Sequence, residues 1–389
     1  MGKSKIKSKY VIISGLALND NNRGTAALGY GALSFLQERG FLSEGTRIRV
    51  IKSKGRHLRK KREITDSTDK LTITGTEWVV ERYYVNFLEW GLMSRLGILI
   101  PFTKLWRLVK NVECVAAING GDGFSDIYGT RVFHNRLGMT KLAMAAGIPL
   151  ILLPQTIGPF SEKKNLSLAT KILKYAKQVF VRDDCFIDNL KSMGVRHELT
   201  NDLSYYMKPE PFDIYIDSAR AIGINVSGLA WDNKFHALAG QFDIYPELIM
   251  KLITMFQKKG NMVYLIPHSY NYNKPERYND DLKAAREVYN RLEDKSNVVL
   301  IDGNLSSPQV KYVISKMSFF VGTRMHANYA AIFSQVPLYG LAYSYKFKGA
   351  FENNGIYNRT SEITNISESD IDHILSKIEK AYREDVIHC

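Results

Sequence analysis

The chain has 389 residues, 45% hydrophobic and 24% charged, a globular make-up that excludes a disordered or fibrous protein and suits two domains. Its formal charge of +14 at pH 7 calls for an anionic partner or surface. Three cysteines, Cys114, Cys185 and Cys389, lack disulfide or metal spacing and fit a reducing compartment.

The basic start, Met1-Gly2-Lys3-Ser4-Lys5, is followed by an apolar run that holds Gly15 and ends in Asn19-Asp20. It predicts a first strand over Tyr10–Ser14 rather than a signal peptide, and the acylation pattern at Gly2 is incomplete. A cytoplasmic protein is expected. The turn cluster Asn19 to Thr25 leads into a helix over Ala26–Gln37, closed by Gly40. Strand, polar glycine loop and helix place a ligand site at a strand's carboxyl end, with Asn22 in that loop.

Arg47–Ser53 predicts a second strand, and no acid interrupts the Lys and Arg residues from Arg47 to Arg62. That stretch is either a solvated loop or an attraction for anionic lipid headgroups or a lipid pyrophosphate. No recognition helix or aromatic-studded sheet accompanies it, so nucleic acid is not expected. Tyr83 to Val109 is rich in aromatics and Leu with isolated cations, as in a helix packed on the core or one lying in a membrane interface. No apolar run reaches the roughly 20 residues of a membrane span.

A third strand, Glu113–Ile118, runs into Asn119-Gly120-Gly121-Asp122-Gly123-Phe124-Ser125-Asp126. The glycines let backbone approach a ligand, but neither a dinucleotide fingerprint nor a P-loop is present. Asp122 and Asp126 either hydrogen-bond sugar hydroxyls, one of them acting as a base, or are solvated carboxylates of a tight turn. A helix over Arg131–Ala146 and a strand over Pro149–Leu153 follow, then a loop in which Gln155 offers amide donors and an acceptor to a sugar. After a helix over Leu166–Ala176 and a strand over Gln178–Val181, Arg182 leaves the sheet at its carboxyl edge. It either faces a ligand or holds a neighbouring Asp.

Lys208 to Phe212 (KPEPF) marks a boundary, giving domains 1–207 and 208–389. The second half alternates again: a strand over Ala221–Val226, a helix over Pro246–Lys258, and a strand over Met262–Pro267 that ends at His268. A helix over Asp280–Leu292, a strand over Val298–Ile301 and a helix from Ser307 to Lys316 follow. Phe319 to Leu338 then reads as a strand broken at Gly322-Thr323, a helix over Met325–Ser334, and the start of the next strand. Such a unit turns backbone N–H groups and the positive end of the helix toward an anion. Arg324 and His326 in its first turn supply a planar cation and a proton carrier, or else merely cap a core helix. A closing helix over Asp370–Tyr382 is free to pack back on the first domain. Eight scattered His residues give no metal-ligand spacing, so no metal is expected.

The segment Gly322-Thr323-Arg324-Met325-His326-Ala327, with Val336-Pro337, Ser344-Tyr345 and Lys348, resembles the C-terminal signature of the polysaccharide pyruvyl transferase family. Gln335 stands where that family usually has Gly. Asn22 to Ala27 resembles its N-x-G-D-x-A element, with Thr25 at the acidic position, and the loop at Gly120 resembles its glycine loop. Gln155 to Pro159 and Val181-Arg182-Asp183 resemble its Q-x-I-G-P and V-R-D elements. The resemblance runs from Ser14 to Lys348. It implies an α/β fold of two Rossmann-like domains in a GT-B arrangement with the active site in the cleft between them. The first domain would take the acceptor and face the membrane, and the second would take the donor.

The implied reaction moves a pyruvyl group from phosphoenolpyruvate, a co-substrate with no further cofactor, to two hydroxyls of a sugar, closing a cyclic ketal. The sugar would belong to a surface polysaccharide or a lipid-linked oligosaccharide, and the protein would lie at the inner face of the cell membrane. On this reading Arg324 and Arg182 grip the donor's anionic groups, helped by Gly322 and Thr323. His326, protonated between anions, gives a proton to the methylene carbon, and His268 adds a second donor. Asn22, Gly121, Asp122, Asp126 and Gln155 face substrate. A nucleotide-sugar glycosyltransferase on the same architecture is the alternative. It needs a carboxylate for ribose soon after Val336-Pro337, and the first Glu there is Glu352.

Overall fold

The structure is a computed structural model that describes residues 9–54, 65–73, 75–343, 347, 351–352 and 354–387. It divides into two compact units, residues 1–17 with 28–206 and residues 18–27 with 207–389. The division at 206/207 lies beside the boundary read from KPEPF. Residues 18–27, read as part of the first domain, group instead with the second. The reason is Arg23, which is buried there with its guanidinium bonded to the carbonyls of Asn21, Tyr270 and Leu305.

Among the described residues of the N-terminal unit eight strands form one sheet: β1 (Tyr10–Ser14), β2 (Arg47–Ser53), β3 (Ser67–Ile73), β4 (Thr76–Val85), β5 (Val112–Ala117), β6 (Leu150–Gln155), β7 (Gln178–Val181) and β8 (Glu198–Leu199). Their order is β3-β4-β2-β1-β5-β6-β7-β8, parallel except for the β3–β4 hairpin at one edge. The central strands are covered on both faces, which is why β6 (LILLPQ) reads as an unbroken apolar run. The accompanying helices are α1 (Arg23–Glu38), α2 (Phe87–Leu96), α3 (Lys104–Leu108), α4 (Thr130–Arg136), α5 (Gly138–Ala146), α6 (Lys163–Tyr175), α7 (Ile187–Ser192) and α8 (Leu203–Tyr206). The helix expected over 131–146 is thus two helices, broken at Leu137, where Gly138 packs against the Trp90 ring.

The strand expected over Arg47–Ser53 forms as β2, and within it Arg47 and Arg49 of the basic stretch both pair with the buried Glu81 of β4. The remainder of that stretch, 55–64, lies outside the described residues, as do Ser344, Tyr345 and Lys348. Tyr83 to Val109 is the end of β4 followed by α2, a loop and α3.

Among the described residues the C-terminal unit holds six parallel strands: β9 (Ala221–Asn225), β10 (Met262–Leu265), β11 (Val298–Leu300), β12 (Phe319–Gly322), β13 (Leu338–Ala342) and β14 (Thr360–Glu362). Their order is β11-β10-β9-β12-β13-β14. The helices are α9 (Gly228–Asp232), α10 (Tyr245–Lys258), α11 (Asp281–Arg291), α12 (Ser307–Ile314), α13 (Met325–Ile332) and α14 (Glu368–Tyr382). Leu252 and Phe256 of α10 and Ile371, Ile374 and Ile378 of α14 are buried in one cluster with Ile222 and Val321 of the sheet. At roughly 1.5–3 kcal/mol for each large apolar side chain removed from water, this face anchors α14 firmly to the unit's own core. The closing helix therefore completes this domain, where the sequence had left it free to pack on the first.

The strand orders also say where a ligand belongs. From β9 the chain steps outward to β10 and β11, then returns to β12 on the other side. Such a reversal opens a crevice at the strand carboxyl ends, here between β9 and β12. In the N-terminal unit the corresponding reversal lies between β1 and β5.

Candidate functional site

At the reversal in the C-terminal sheet, Asn225 ends β9 and Gly322 ends β12, and the two are register partners. Thr323 is buried, and its hydroxyl lies 2.9 Å from that of Tyr245, which accepts from the Ser227 N–H. Burial pushes the Tyr245 phenol up, so it stays protonated. Thr323 is thereby spent on fixing the turn, not on a substrate. Arg324 is the N-cap residue of α13, its N–H held by the Asn225 side-chain oxygen at 2.9 Å, and no side chain caps the helix.

The Arg324 guanidinium does not stand alone. Nε and Nη2 donate to Asp281 Oδ1 at 3.1 and 2.6 Å, and Nη2 also reaches Asn279 at 2.7 Å. Burial by itself would lower the guanidinium's pKa, but Asp281 and the Tyr343 hydroxyl outweigh it, so Arg324 remains charged. Asp281, wholly buried, further accepts from the N–H groups of Gly228, His268 and Ser269 at 2.9, 3.2 and 2.9 Å. One carboxylate thus ties the ends of β9, β10 and β12 together.

His326 lies half-buried, edge-on to the Tyr329 ring at 5.7 Å. Gly24 sits directly against its imidazole, closer than any side chain would permit. His268 is buried, and its pKa is driven well below the usual value by burial first, then by electrostatic interaction with the neighbouring His326 ring and the guanidinium groups of Arg23 and Arg324. It is a neutral imidazole at pH 7. Asn22 uses its side-chain oxygen to accept from the Gly24 N–H at 2.9 Å, capping the start of α1, while its backbone bridges to Ser269. Beside Arg23 opens a recess of about 420 Å³ lined by Asn21, Asn271, Asn273, Asn304 and Ser306.

The N-terminal unit gathers the other predicted residues, and it spends most of them on structure. Gln155 is fully buried: its carbonyl accepts from Asn119, and its amide donates to the carbonyls of Ala117 and Leu153. It clamps β5 to β6 instead of presenting itself to a sugar. Asp126 accepts from the N–H groups of Ser161 and Glu162 and from Asn165 at the start of α6. Burial opposes its charge, but these donors prevail and hold the carboxyl below its usual range, which makes it a poor base. Arg182 pairs with buried Asp202 at 2.6 Å and donates to Thr156 at 3.0 Å. Gly121, with φ at 78°, passes over Arg182 at a distance where a Cβ would lie 3.0 Å from Nη1. Asp122 accepts from Tyr128 at 2.7 Å.

The residues that sequence reasoning missed are Asp281, Asn225, Tyr245 and Arg23. The doublet Asp280-Asp281 was the available signal: Asp280 is the N-cap of α11, which leaves the second acid unexplained. Among the described residues no group of three or more His, Cys, Asp or Glu is placed to hold a metal ion. Nor is any described helix long and apolar enough to cross a membrane.

The model of the family described as polysaccharide pyruvyl transferase matches residues 22–345. Among solved structures, a Listeria monocytogenes protein proposed as a UDP-N-acetylglucosamine 2-epimerase is 10% identical, with 97% of this chain and 90% of that one covered at a TM-score of 0.56. The UDP-GlcNAc 2-epimerase of Methanocaldococcus jannaschii is also 10% identical, with 97% and 92% covered and a TM-score of 0.54. At such identities the likeness is one of fold, two Rossmann-like units of the GT-B class.

Proposed function

Because the chain belongs to the polysaccharide pyruvyl transferase family, we propose that it moves the pyruvyl group of phosphoenolpyruvate onto two hydroxyls of one sugar, as a cyclic ketal. The sugar is a unit of a surface polysaccharide or lipid-linked oligosaccharide. One observation carries the choice of site: Arg324 and His326 share the first turn of α13, an N-terminus without a side-chain cap at the sheet's reversal, with neutral His268 beside them. A small, multiply charged acid suits that place, since it meets N–H groups, the helix dipole and a fixed cation together.

In this reading the donor's carboxylate and phosphate lie at the α13 N-terminus. Arg324 acts as a rigid guanidinium edge, its angle set by Asp281. The bound anions favour the protonated form of His326, which gives its proton to the methylene carbon. The adjacent carbon becomes electron-poor, and one sugar hydroxyl adds to it. Phosphate then leaves with its bonding pair, and the second hydroxyl adds to close the ketal. Of the two hydroxyl protons, one restores His326 and the other departs on phosphate, so the sum is diol plus phosphoenolpyruvate giving ketal plus phosphate. His268, neutral, donates a hydrogen bond without adding charge.

Thermal melting with phosphoenolpyruvate and, separately, with uridine and guanosine diphosphate sugars tests the donor. A rise in midpoint with phosphoenolpyruvate, lost in Arg324→Gln, is expected. A rise with a nucleotide sugar alone would overturn the proposal in favour of glycosyl transfer.

A further inference from the structure

In the N-terminal unit α2 turns its leucines outward. Leu88, Leu92 and Leu96 recur every four residues along one exposed stripe, the first and last 60% and 65% accessible. The opposite side of the helix carries buried Met93, and Glu89 is turned inward to the Leu105 N–H. Past the left-handed cap at Gly97 the stripe continues through exposed Ile98, Ile100 and Phe102. Phe102 is 81% accessible and holds φ at 63°, a left-handed backbone that disfavours a bulky side chain. Phe102 lies against the Trp106 ring, with centroids 5.2 Å apart, and carries the apolar stripe beyond the end of α2.

The same end of α2 borders a cavity of about 1050 Å³, lined by Arg95, Arg131, His134 and Lys141 and by no carboxylate. Among the described residues Arg95, Arg131 and Lys141 form no ion pair. Lys141 is half-buried, and burial lowers its pKa, so a neighbouring anion would relieve its desolvation.

We propose that this face docks on an anionic lipid bilayer, Leu88, Leu92, Leu96, Ile98 and Phe102 entering the acyl boundary while Arg95, Arg131 and Lys141 take lipid phosphate into the adjoining cavity. Apolar tips beside unpaired cations match a bilayer's own layering, acyl chains below phosphates. A second copy of the chain is a poorer occupant, because it brings another +14 of charge to the same place. The inference deepens the lipid-linked acceptor of the proposed function, but it is read without turnover and so fails separately.

Co-sedimentation of the full chain with vesicles tests it, using phosphatidylcholine alone and phosphatidylcholine with roughly a third phosphatidylglycerol. Binding only to the anionic vesicles is expected. Leu88→Gln/Leu96→Gln/Phe102→Gln should bind them about tenfold or more weakly with an unchanged melting midpoint, since all three side chains are exposed. Arg95→Gln/Arg131→Gln/Lys141→Gln should fall by about a hundredfold, to the level of neutral vesicles. Failure of the unaltered chain to bind, or undiminished binding by the leucine and phenylalanine variant, would overturn the proposal. So would a dimer in solution that the same variant converts to monomer, because the stripe would then belong to a second copy.

Discussion

Gly24 and His326 lie in direct contact: a Cβ added to Gly24 would stand 2.6 Å from Nδ1 and 2.8 Å from Cβ of the histidine. The first turn of α1 and the first turn of α13 are some 300 residues apart in the chain, yet the first is the floor on which the second's imidazole rests. The glycine of the N-x-G element therefore has a steric reason to be there.

Gly24→Ala tests that contact. Its backbone is not in the left-handed region, so Ala is not opposed by φ and the whole effect falls on the imidazole. Because both ring and Cβ of His326 are crowded, the group must shift as a body. Turnover should fall by about 10- to 100-fold, the usual consequence of displacing a reacting group by about an ångström. Steady-state kinetics with a melting curve checks this, the midpoint staying within a few degrees.

Asp281→Asn removes the charge that holds Arg324 while keeping the size of the side chain. The guanidinium is left buried without its counter-charge, and three N–H groups compete for one remaining acceptor oxygen. Breaking a buried pair from one side costs about 3–5 kcal/mol, so the urea midpoint should drop accordingly. Donor binding should weaken as well, because the angle of Arg324 is no longer set.

His268 gives a pH signature. Its folded pKa lies well below the ordinary value near 6.5, while the unfolded chain titrates at that ordinary value. As pH falls below about 6.5 the unfolded state gains a proton that the folded state refuses, so stability is full above that pH and declines below it. The slope from this group approaches about 1.4 kcal/mol per pH unit. His268→Gln should flatten the decline between about pH 6.5 and 5, measured by denaturant titration at several pH values.

Gln335 holds φ at 57°, in the left-handed region where glycine is the natural occupant. The position is the one where the family usually has Gly, so the turn between α13 and β13 has kept its shape under a less suitable residue. Gln335→Gly should raise stability by about 0.5–1 kcal/mol, the relief of a strained backbone less the entropy of glycine. Calorimetry should show a midpoint higher by about 1–4 °C. A lower midpoint would mean the Gln side chain contributes more than the strain costs.

The parts of the fold that were legible are those whose signal is local. β1, β5, β6, β9 and β12 are covered on both faces and read as continuous apolar runs, and the glycine loops after them punctuate the chain clearly. The edge hairpin of β3 and β4 was not legible, because a solvent-facing strand such as Ser67–Ile73 (STDKLTI) has too few apolar residues to stand out from a charged loop. At the site, Arg324 and His326 were legible as the first turn of a strand–glycine turn–helix unit, and His268 as a residue just beyond a strand. Asp281 was not, since its importance arises only when residues 225, 228, 268 and 324 converge on it in space. Gln155 and Asp126 show the converse. A polar residue in a sugar-binding pattern was equally well explained by hydrogen bonds that close the fold, and the structure chose the latter.

The central claim is that phosphoenolpyruvate is the donor and that His326 hands its methylene carbon a proton. The most direct measurement is phosphate release together with the mass of a lipid-linked or aryl glycoside acceptor, for the unaltered chain and for His326→Gln. One phosphate per ketal formed is predicted for the first, and loss of at least 100-fold in rate, with donor affinity kept within a few fold, for the second. Ketal formation undiminished in His326→Gln, or an acceptor that gains a sugar from a nucleotide donor and nothing from phosphoenolpyruvate, would contradict it.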